Sequence, residues 1–318
     1  MIRKINYISH FDKNYLVQGL TLINNLKEKS NFSKIIVVAL DDFTKLALLK
    51  LNLKDLIVIE ISKVLENQNI NFKNKTTNRE YIWTLTPIII RYISNSYNSE
   101  YIVYLDADMF LLRSDHNVVE SFIKSKRSAF ITPHFYAPNL DQTESSGRFC
   151  VQYLIFNLSN SSDIIEDWVE DCLNDCSENQ SVHGMGDQKY LTFWEDKYKN
   201  RIYLAPNSGL FLAPWNLNFY RYSDAVFFHF QGFRLYKNKF CILINGYEIN
   251  KYTKKYVYFK YVREIKKNMR ILMDNQIIKK EKIFFTDYLY VFKVQLVYSL
   301  KNIIKQILNN FPKIVKKI

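Results

Sequence analysis

The first 110 residues alternate short apolar runs with segments of helical periodicity, and this alternation constrains the fold more than any other feature of the chain. The runs KINYIS (4–9), KIIVVAL (34–40) and LIVIEIS (56–62) indicate buried strands, and a fourth strand ends just before Asp106. The intervening NYLVQGLTLINNLKEK, DDFTKLALLKLN and NREYIWTLTPIIIRYISNSY indicate helices. Strands that alternate with helices predict a mostly parallel sheet with helices on both faces.

Local sequence patterns also predict where two of the helices begin and which elements follow residue 112. Asp41 or Asp42 is expected to cap the second helix, and Pro87 implies either a kink or a helix that begins near it. Beyond residue 112, SAFITPHF, FCVQYLIFN and DAVFFHFQGF indicate strands, and SSDIIEDWVEDCLND and GDQKYLTFWEDKY indicate helices.

Two aspartates, Asp106 and Asp108, follow the fourth strand with one alanine between them. In an extended segment such residues point to the same side, and their carboxylates repel unless a cation lies between them. Mg²⁺ and Mn²⁺ take oxygen ligands of this kind. The pattern favours a metal site at the carboxyl end of a strand, where open α/β sheets bind ligands. The alternative is that the two aspartates are loop residues that only cap the next element of the chain.

Composition indicates a folded protein with reduced thiols. The N-terminal sequence lacks the apolar run and cleavage site of a signal peptide, and no stretch of about 18 uncharged apolar residues predicts a membrane-spanning helix. Cys150, Cys172, Cys176 and Cys241 form no spacing typical of a metal site or a disulfide framework. We therefore expect a cytoplasmic location.

The net charge of +13 lies entirely in the last part of the chain. Residues 251–318 carry 17 Lys and Arg against 4 Asp and Glu, whereas residues 1–250 carry 27 of each sign. We predict two parts, a body over 1–250 and a basic, mainly helical C-terminal extension over 251–318. The neutral body argues against nucleic acid as the main partner, because phosphate binding needs basic residues on a folded face.

The end of the extension has helical amphipathicity. Its apolar positions recur as Leu296/Val297, Leu300, Ile303/Ile304, Ile307/Leu308 and Phe311, with Lys301 and Lys305 on the other side. Such a helix predicts binding to an anionic membrane surface, which would make the protein peripheral on the cytoplasmic face of the inner membrane. The alternative is a helix packed on its own domain.

Several landmarks together resemble the GT-A class of nucleotide-diphospho-sugar transferases, near the family-eight glycosyltransferases and their bacterial surface-polysaccharide relatives. They are NYLVQGLTLINNL, REYIWTLTP, YIVYLDAD, GDQKYL, APWN and HFQG, in this order over residues 4–235. The resemblance implies a GT-A (Rossmann-like) fold and a metal-dependent glycosyltransferase. The expected partners are a nucleotide-sugar donor, most simply a UDP-sugar, and a cell-surface glycan or lipid-linked acceptor. The family-eight likeness implies retention at the anomeric carbon.

The resemblance also implies roles for individual residues. Asp106, Asp108 and His229 are expected to bind Mn²⁺ or Mg²⁺, and Asp187 and Gln188 to act at the anomeric carbon. The residues expected to contact the nucleotide or diphosphate are Tyr7, Asp12, Arg79, Ala107, Gly232, Arg234 and Lys237. The residues expected to line the sugar or acceptor pocket are Trp215, Asn216 and Gln152.

Four of these assignments have a structural alternative. His229 can simply end an aromatic strand, Asp187 can be a helix cap, Trp215 can be buried in the core, and Arg79 can form a surface pair with Glu80. The sequence also departs from the family at two places. Cys150 and Gln152 replace a usual Asn-x-Gly, and FRLYKNKF lacks the usual Lys followed by Pro-Trp.

Other functions remain as alternatives at this point. A phosphatase that uses the same two aspartates needs Thr or Val where this chain has Phe110, and a sugar-phosphate nucleotidyltransferase needs a Gly-rich loop after the first strand, which SHFDKNYL does not provide. A non-catalytic alternative is a basic module that binds membrane or nucleic acid.

Overall fold

The structure is a computed structural model, and it describes residues 4–66, 70, 72, 77–179, 183–217, 219–237, 240–243, 247, 249–297 and 300. Its strands are β1 (Ile5–Phe11), β2 (Lys34–Ala39), β3 (Leu56–Glu60), β4 (Tyr101–Leu105), β5 (Met109–Leu111), β6 (Ala129–Pro133), β7 (Phe149–Asn157), β8 (Ile202–Leu204), β9 (Phe211–Leu212), β10 (Phe227–His229), β11 (Phe233–Tyr236) and β12 (Phe240–Leu243). Its α-helices are α1 (Leu16–Lys29), α2 (Asp42–Leu51), α3 (Ile61–Leu65), α4 (Asn78–Ser96), α5 (His116–Ser125), α6 (Thr143–Ser146), α7 (Ser162–Asn174), α8 (Trp194–Tyr198), α9 (Lys251–Thr253) and α10 (Phe259–Asp274).

Seven strands form a central sheet in the order β3-β2-β1-β4-β7-β6-β8. Within it, β7 runs antiparallel to its neighbours, β4 and β6, and the other four pairings are parallel. The prediction of a mostly parallel sheet is confirmed. The described residues also form two smaller units, a sheet β5-β10-β9 and the hairpin β11-β12.

Helices cover both faces of the sheet, because its strands bury alternate side chains on opposite sides. Val37 and Val103 belong to the hydrophobic cluster that includes α1 and α10. Ile36 and Ile102 belong to the second cluster, formed with α4 and α7. The strands are therefore apolar on both faces, as the continuous runs in the sequence predicted.

Local chemistry explains where the predicted helices begin. Asp41 caps α2 by accepting from the Thr44 backbone N–H at 2.7 Å. Thr77 and Glu80 form a capping box at the start of α4, so this helix begins at Asn78 and Pro87 lies inside it. Of the two alternatives for Pro87, a helix that begins near the proline is wrong.

The segment GDQKYLTFWEDKY was predicted as one helix, and the structure corrects this prediction. Residues Asp187–Phe193 form a 3₁₀-helix, which passes directly into the short α8. The Trp168 indole N–H donates to the Asp187 carbonyl oxygen at 3.0 Å. In a regular α-helix this carbonyl would accept from the backbone N–H four residues later, so the indole competes with that hydrogen bond.

The beginning of the basic extension packs into the body. The Tyr261 ring of α10 stacks on Phe230 with 3.7 Å between centroids, and Asn24 of α1 donates to Asn268 at 2.5 Å. Residues 285–297 are helical. The predicted positions Lys301, Ile303, Ile304, Lys305, Ile307, Leu308 and Phe311 lie outside the described residues. Among the described residues, no helix is both long and apolar enough to cross a membrane.

Candidate active site

The two aspartates and His229 meet at the carboxyl edge of β4. Strand β10 pairs antiparallel with β5 and places His229 opposite Met109, beside the turn that carries Asp106 and Asp108. His229 Nε2 lies 3.1 Å from Asp108 Oδ1 and 3.8 Å from Asp106 Oδ2. One ligand atom from each of the three residues lies within 4.8 Å of the others. Sequence segments more than 100 residues apart thus converge on one cluster.

The cluster has two carboxylates, of Asp106 and Asp108, and only one imidazole, of His229, to offset their negative charge. Burial raises the pKa of Asp106, and repulsion from Asp108 adds to that effect. Burial acts the same way on Asp108, but the charge and hydrogen bond of His229 outweigh it and hold the pKa of Asp108 below its usual range. Burial lowers the pKa of His229, yet Asp108 outweighs it and holds that pKa well above its usual range. Two carboxylates beside one imidazole form a site that a divalent cation would stabilise.

Neighbouring side chains orient two of these ligands. Gln152 is buried, and its Oε1 lies 2.6 Å from His229 Nδ1, so Nε2 is the nitrogen that faces the carboxylates. Tyr104 donates to Asp106 Oδ1 at 2.8 Å and also contacts His10 Nε2 at 3.2 Å. Partners of this type fix the ring orientation of a metal-binding histidine and the direction of a carboxylate. Gln152 therefore supports the candidate metal ligands in this structure.

We expect Gln152→Leu to weaken Mn²⁺ binding by about 10- to 100-fold, because the leucine leaves His229 Nδ1 without its acceptor. Gln152→Glu retains an acceptor and is expected to bind Mn²⁺ with an affinity near that of the wild type. Mn²⁺ electron paramagnetic resonance measures free and bound ion without any need for turnover. Equal affinity in the wild type and Gln152→Leu would show that Gln152 does not orient the ligand.

Asp187 and Gln188 lie in the 3₁₀-helix next to this cluster. Asp187 is buried, and burial raises its pKa well above the usual range, with further contributions from Cys176 and from the Asp106 carboxylate. Gln188 Nε2 donates to the Ser146 carbonyl oxygen at 2.5 Å. Gly186, with a φ of +64°, directly precedes the 3₁₀-helix as its N-cap and packs against Trp83. The Asp106 carboxylate thus acts electrostatically on the Asp187 carboxyl group.

A cation and a tyrosine also lie near the two aspartates. Arg234 lowers the pKa of Asp108 and lies over the Tyr15 ring at 5.0 Å. Burial raises the pKa of Tyr15, and repulsion from Asp108 raises it further. Gly232 has a φ of +79° in the turn just before Arg234, a conformation that glycine adopts without strain. Tyr15 was missed by the sequence analysis, since one tyrosine among 23 carries no local signal.

Three other residues that were expected near the nucleotide make their described contacts with residues outside the cluster of Asp106, Asp108 and His229. Tyr7 is only 1% exposed and donates to the buried Asp115 at 2.8 Å, so its hydroxyl lies in the core. Arg79 pairs with Glu178 at 3.0 Å on the surface, and not with Glu80. Asp12 accepts from the Asn14 backbone N–H at 3.0 Å at the end of β1.

The remaining assigned residues lie in three places. Lys237 pairs with Asp287, near the start of the helix at 285–297, at 2.9 Å. Trp215 is buried with its ring 5.6 Å from that of His229, and its indole N–H donates to the His134 carbonyl oxygen at 2.7 Å. Asn216 is also buried, and its side chain bonds to three backbone groups around the same turn. Ala107 is buried between the two aspartates.

Comparison with known proteins gives two sequence relatives and a shared fold. Protein YfnF of Bacillus subtilis (strain 168), described as uncharacterized, is 24% identical over 248 residues, which cover 72% of this chain and 82% of that protein. YfnD of the same organism, also described as uncharacterized, is 22% identical over 272 residues, which cover 80% and 86%. No protein-family model matches the chain.

The fold of this chain is similar to that of a solved structure. The glycosyltransferase GlyE of Streptococcus pneumoniae TIGR4 superposes with a TM-score of 0.50 at 13% identity, over 89% of this chain and 67% of that one. The mixed sheet, the helices on both faces and this likeness confirm the predicted GT-A (Rossmann-like) fold.

Proposed function

We propose that this protein is a metal-dependent glycosyltransferase that moves a sugar from a nucleotide-diphosphate donor to a glycan or lipid-linked acceptor. The observation that carries the proposal is the cluster of Asp106, Asp108 and His229 at the carboxyl edge of the sheet in a GT-A fold. This is the edge at which open α/β sheets bind ligands. The donor that we propose is a UDP-sugar.

The donor set fits a divalent cation, since two carboxylates and one imidazole converge and their charges are not balanced. Mixed oxygen and nitrogen ligands suit Mn²⁺ better than Mg²⁺. When bound, such an ion would stabilise the charge that develops on the departing diphosphate. Asp106, Asp108 and His229 would hold the ion, and Arg234 would add a positive charge on the same side.

We assign Asp187 and Gln188 to the reacting carbon of the donor. Their short helix lies against α6 through the Gln188–Ser146 contact, and Asp187 is electrostatically coupled to Asp106. A carboxylate and an amide at this place would orient the donor sugar and stabilise positive charge at the anomeric carbon. We propose retention at that carbon, on the basis of the family-eight resemblance alone.

A panel of nucleotide sugars tests the proposal directly. The wild-type protein is expected to hydrolyse or transfer from one UDP-sugar in the presence of Mn²⁺, and to gain thermal stability from UDP with Mn²⁺. A phosphatase would release phosphate from simple phosphate esters, and a nucleotidyltransferase would produce a nucleotide sugar from a sugar phosphate. Either of those activities, without donor cleavage, would refute the proposal.

We also propose that the C-terminal extension binds an anionic membrane on the cytoplasmic face. Helix 285–297 exposes large apolar side chains, with Phe285 74% and Phe292 66% exposed, and monomers rarely leave such surfaces uncovered. Asp287 holds this helix on β11 by accepting from Tyr236 at 2.9 Å and pairing with Lys237. A surface near lipid gains about 1 kcal/mol from each Lys or Arg close to anionic headgroups.

We expect the full chain to sediment with anionic vesicles and not with neutral ones, and to bind less at high salt. A chain that ends at residue 280 keeps α10 in the core and is expected to remain folded but unbound. Co-sedimentation measures binding, and circular dichroism checks the fold. Vesicle binding that survives this truncation would contradict the proposed role of residues 281–318.

A further inference from the structure

A groove of about 450 Å³ lies at the same edge of the sheet as the candidate metal site. Strand β6 is antiparallel to β7, which is antiparallel to β4, so β6 and β4 end at the same edge, and β8 runs parallel to β6. The segment after β6 supplies Phe135 and Tyr136, and the segment after β8 supplies Asn207. The groove is therefore beside the candidate donor site and displaced along the sheet.

Two sets of contacts join this groove to the residues assigned to the reaction. Ser146 ends α6, which also supplies Thr143 to the groove, and its carbonyl oxygen accepts from Gln188 at 2.5 Å. The Tyr136 ring lies 6.3 Å from Trp215, whose ring lies 5.6 Å from His229. Gln188 thus contacts the helix that supplies Thr143 to the groove, and the Tyr136 ring of the groove is two ring contacts from a candidate metal ligand.

The groove lining has a chemistry that suits neutral polyols. Its aromatic side chains are Phe135 and Tyr136, and its polar ones include Asp141, Thr143 and Asn207. The Asp141 carboxylate already accepts from the Thr143 backbone N–H at 2.9 Å and from the Thr143 hydroxyl at 2.6 Å. Arg148, the one cation in the described lining, is paired with Glu195, so it offers little charge to a phosphate. Pockets of this kind orient a ligand through a few polar groups beside an apolar surface.

The backbone at the groove is unusual as well. Phe135 has a φ of +51°, in the left-handed region that bulky side chains rarely adopt. Such a conformation costs on the order of 1 kcal/mol or more and persists where the surroundings impose it, frequently at ligand sites. Here it places the ring between the groove and Tyr220.

We propose that this groove binds the saccharide part of the acceptor. The inference rests on the proposed function and adds the place and the class of the second substrate. The acceptor saccharide lies against Phe135 and Tyr136 and bonds to Asn207 and Thr143, with its reacting hydroxyl directed toward Gln188. The one cation in the described lining, Arg148, is already paired with Glu195, which disfavours the diphosphate of the donor as the occupant of this groove.

The test uses a groove-filling variant and a matched control. Asn207→Trp places a large side chain at an exposed position of the groove, and Ser208→Trp places the same side chain on the neighbouring exposed residue outside the lining. The probes are lactose, maltotriose and N,N′-diacetylchitobiose, measured by saturation-transfer-difference NMR on the full chain. UDP binding with Mn²⁺ is measured separately by calorimetry.

We expect at least one saccharide to bind the wild type and Ser208→Trp, and to bind Asn207→Trp at least about tenfold more weakly. UDP affinity is expected to be equal in all three proteins. No saccharide binding to the wild type, equal binding to Asn207→Trp, or displacement of the saccharide by UDP would overturn the inference. A wild-type protein that does not bind UDP would instead refute the proposed function, so the two failures are distinct.

Discussion

Replacing either Asp106 or Asp108 with asparagine is expected to abolish sugar transfer without unfolding the protein. Each substitution keeps the size of the side chain and removes one charge from the three candidate ligands. The loss of a preorganised charge at a developing anion costs about 10²- to 10³-fold in kcat, and loss of the metal would cost more. The measurement is turnover of a UDP-sugar in chelator-treated buffer with Mn²⁺ titrated back.

The control for this experiment is Asp55→Asn. Asp55 forms a surface pair with Lys34 at 2.8 Å and has no contact with the three candidate ligands, so its loss should leave the Mn²⁺ dependence unchanged. Thermal melting of all variants separates folding from catalysis. Near-wild-type turnover of either Asp106→Asn or Asp108→Asn would show that the metal assignment is wrong.

Asp187→Ala is expected to lower kcat by about 10²-fold or more while UDP affinity changes little, because the proposed role is in the transition state. Gln188→Ala should act in the same direction with a smaller effect. Asp187 is buried and Gln188 bonds to Ser146, so melting temperatures must be measured beside the kinetics. Asp196→Asn, on the exposed side of α8, is the matched control.

Kinetics and calorimetry with UDP distinguish the possible outcomes for Asp187. A large loss of UDP affinity with unchanged kcat would place this residue at the nucleotide. The helix cap is Gly186, so Asp187 is not the cap that the structural alternative expected. Wild-type kinetics together with a lowered melting temperature would show that Asp187 has only a structural role, as a buried residue in the first turn of the 3₁₀-helix.

The sheet was predictable because its strands are continuous apolar runs separated by amphipathic helices. The run FCVQYLIFN became β7 with the same boundaries, Phe149–Asn157, although its antiparallel direction was not encoded in the pattern. The position of the two aspartates at the carboxyl end of a strand was predictable for the same reason, because they directly follow a buried apolar run. Their meeting with His229 was inferred only from the resemblance, since no local pattern links residues so distant in sequence.

Strands buried on both faces explain why individual side chains were harder to place. Tyr7 and Ile8 are adjacent in β1 and both buried, so hydrophobic alternation does not tell which face each residue joins. Tyr7 faces Asp115 in one core, whereas His10 contacts Tyr104 near the other. Burial lowers the pKa of His10 to about 4, so it stays neutral beside Tyr104.

The sequence also did not reveal which acidic residue each basic residue would lie near. Lys237 and Arg234 are three residues apart in the same segment, yet Lys237 pairs with Asp287 and Arg234 lies toward Asp108. The partner of Lys237 is 50 residues further along the chain. Only the packing of the C-terminal helix on β11 decides this, and no spacing in the sequence encodes it.

The central claim is that a divalent ion held by Asp106, Asp108 and His229 binds the diphosphate of the donor. Calorimetric titration of UDP into chelator-stripped protein, before and after addition of Mn²⁺, tests it most directly. We predict strong binding only with Mn²⁺, and none with Mn²⁺ in the Asp106→Asn protein. Equal UDP affinity with and without the ion, or an Asp106→Asn variant that binds like the wild type, would contradict the claim.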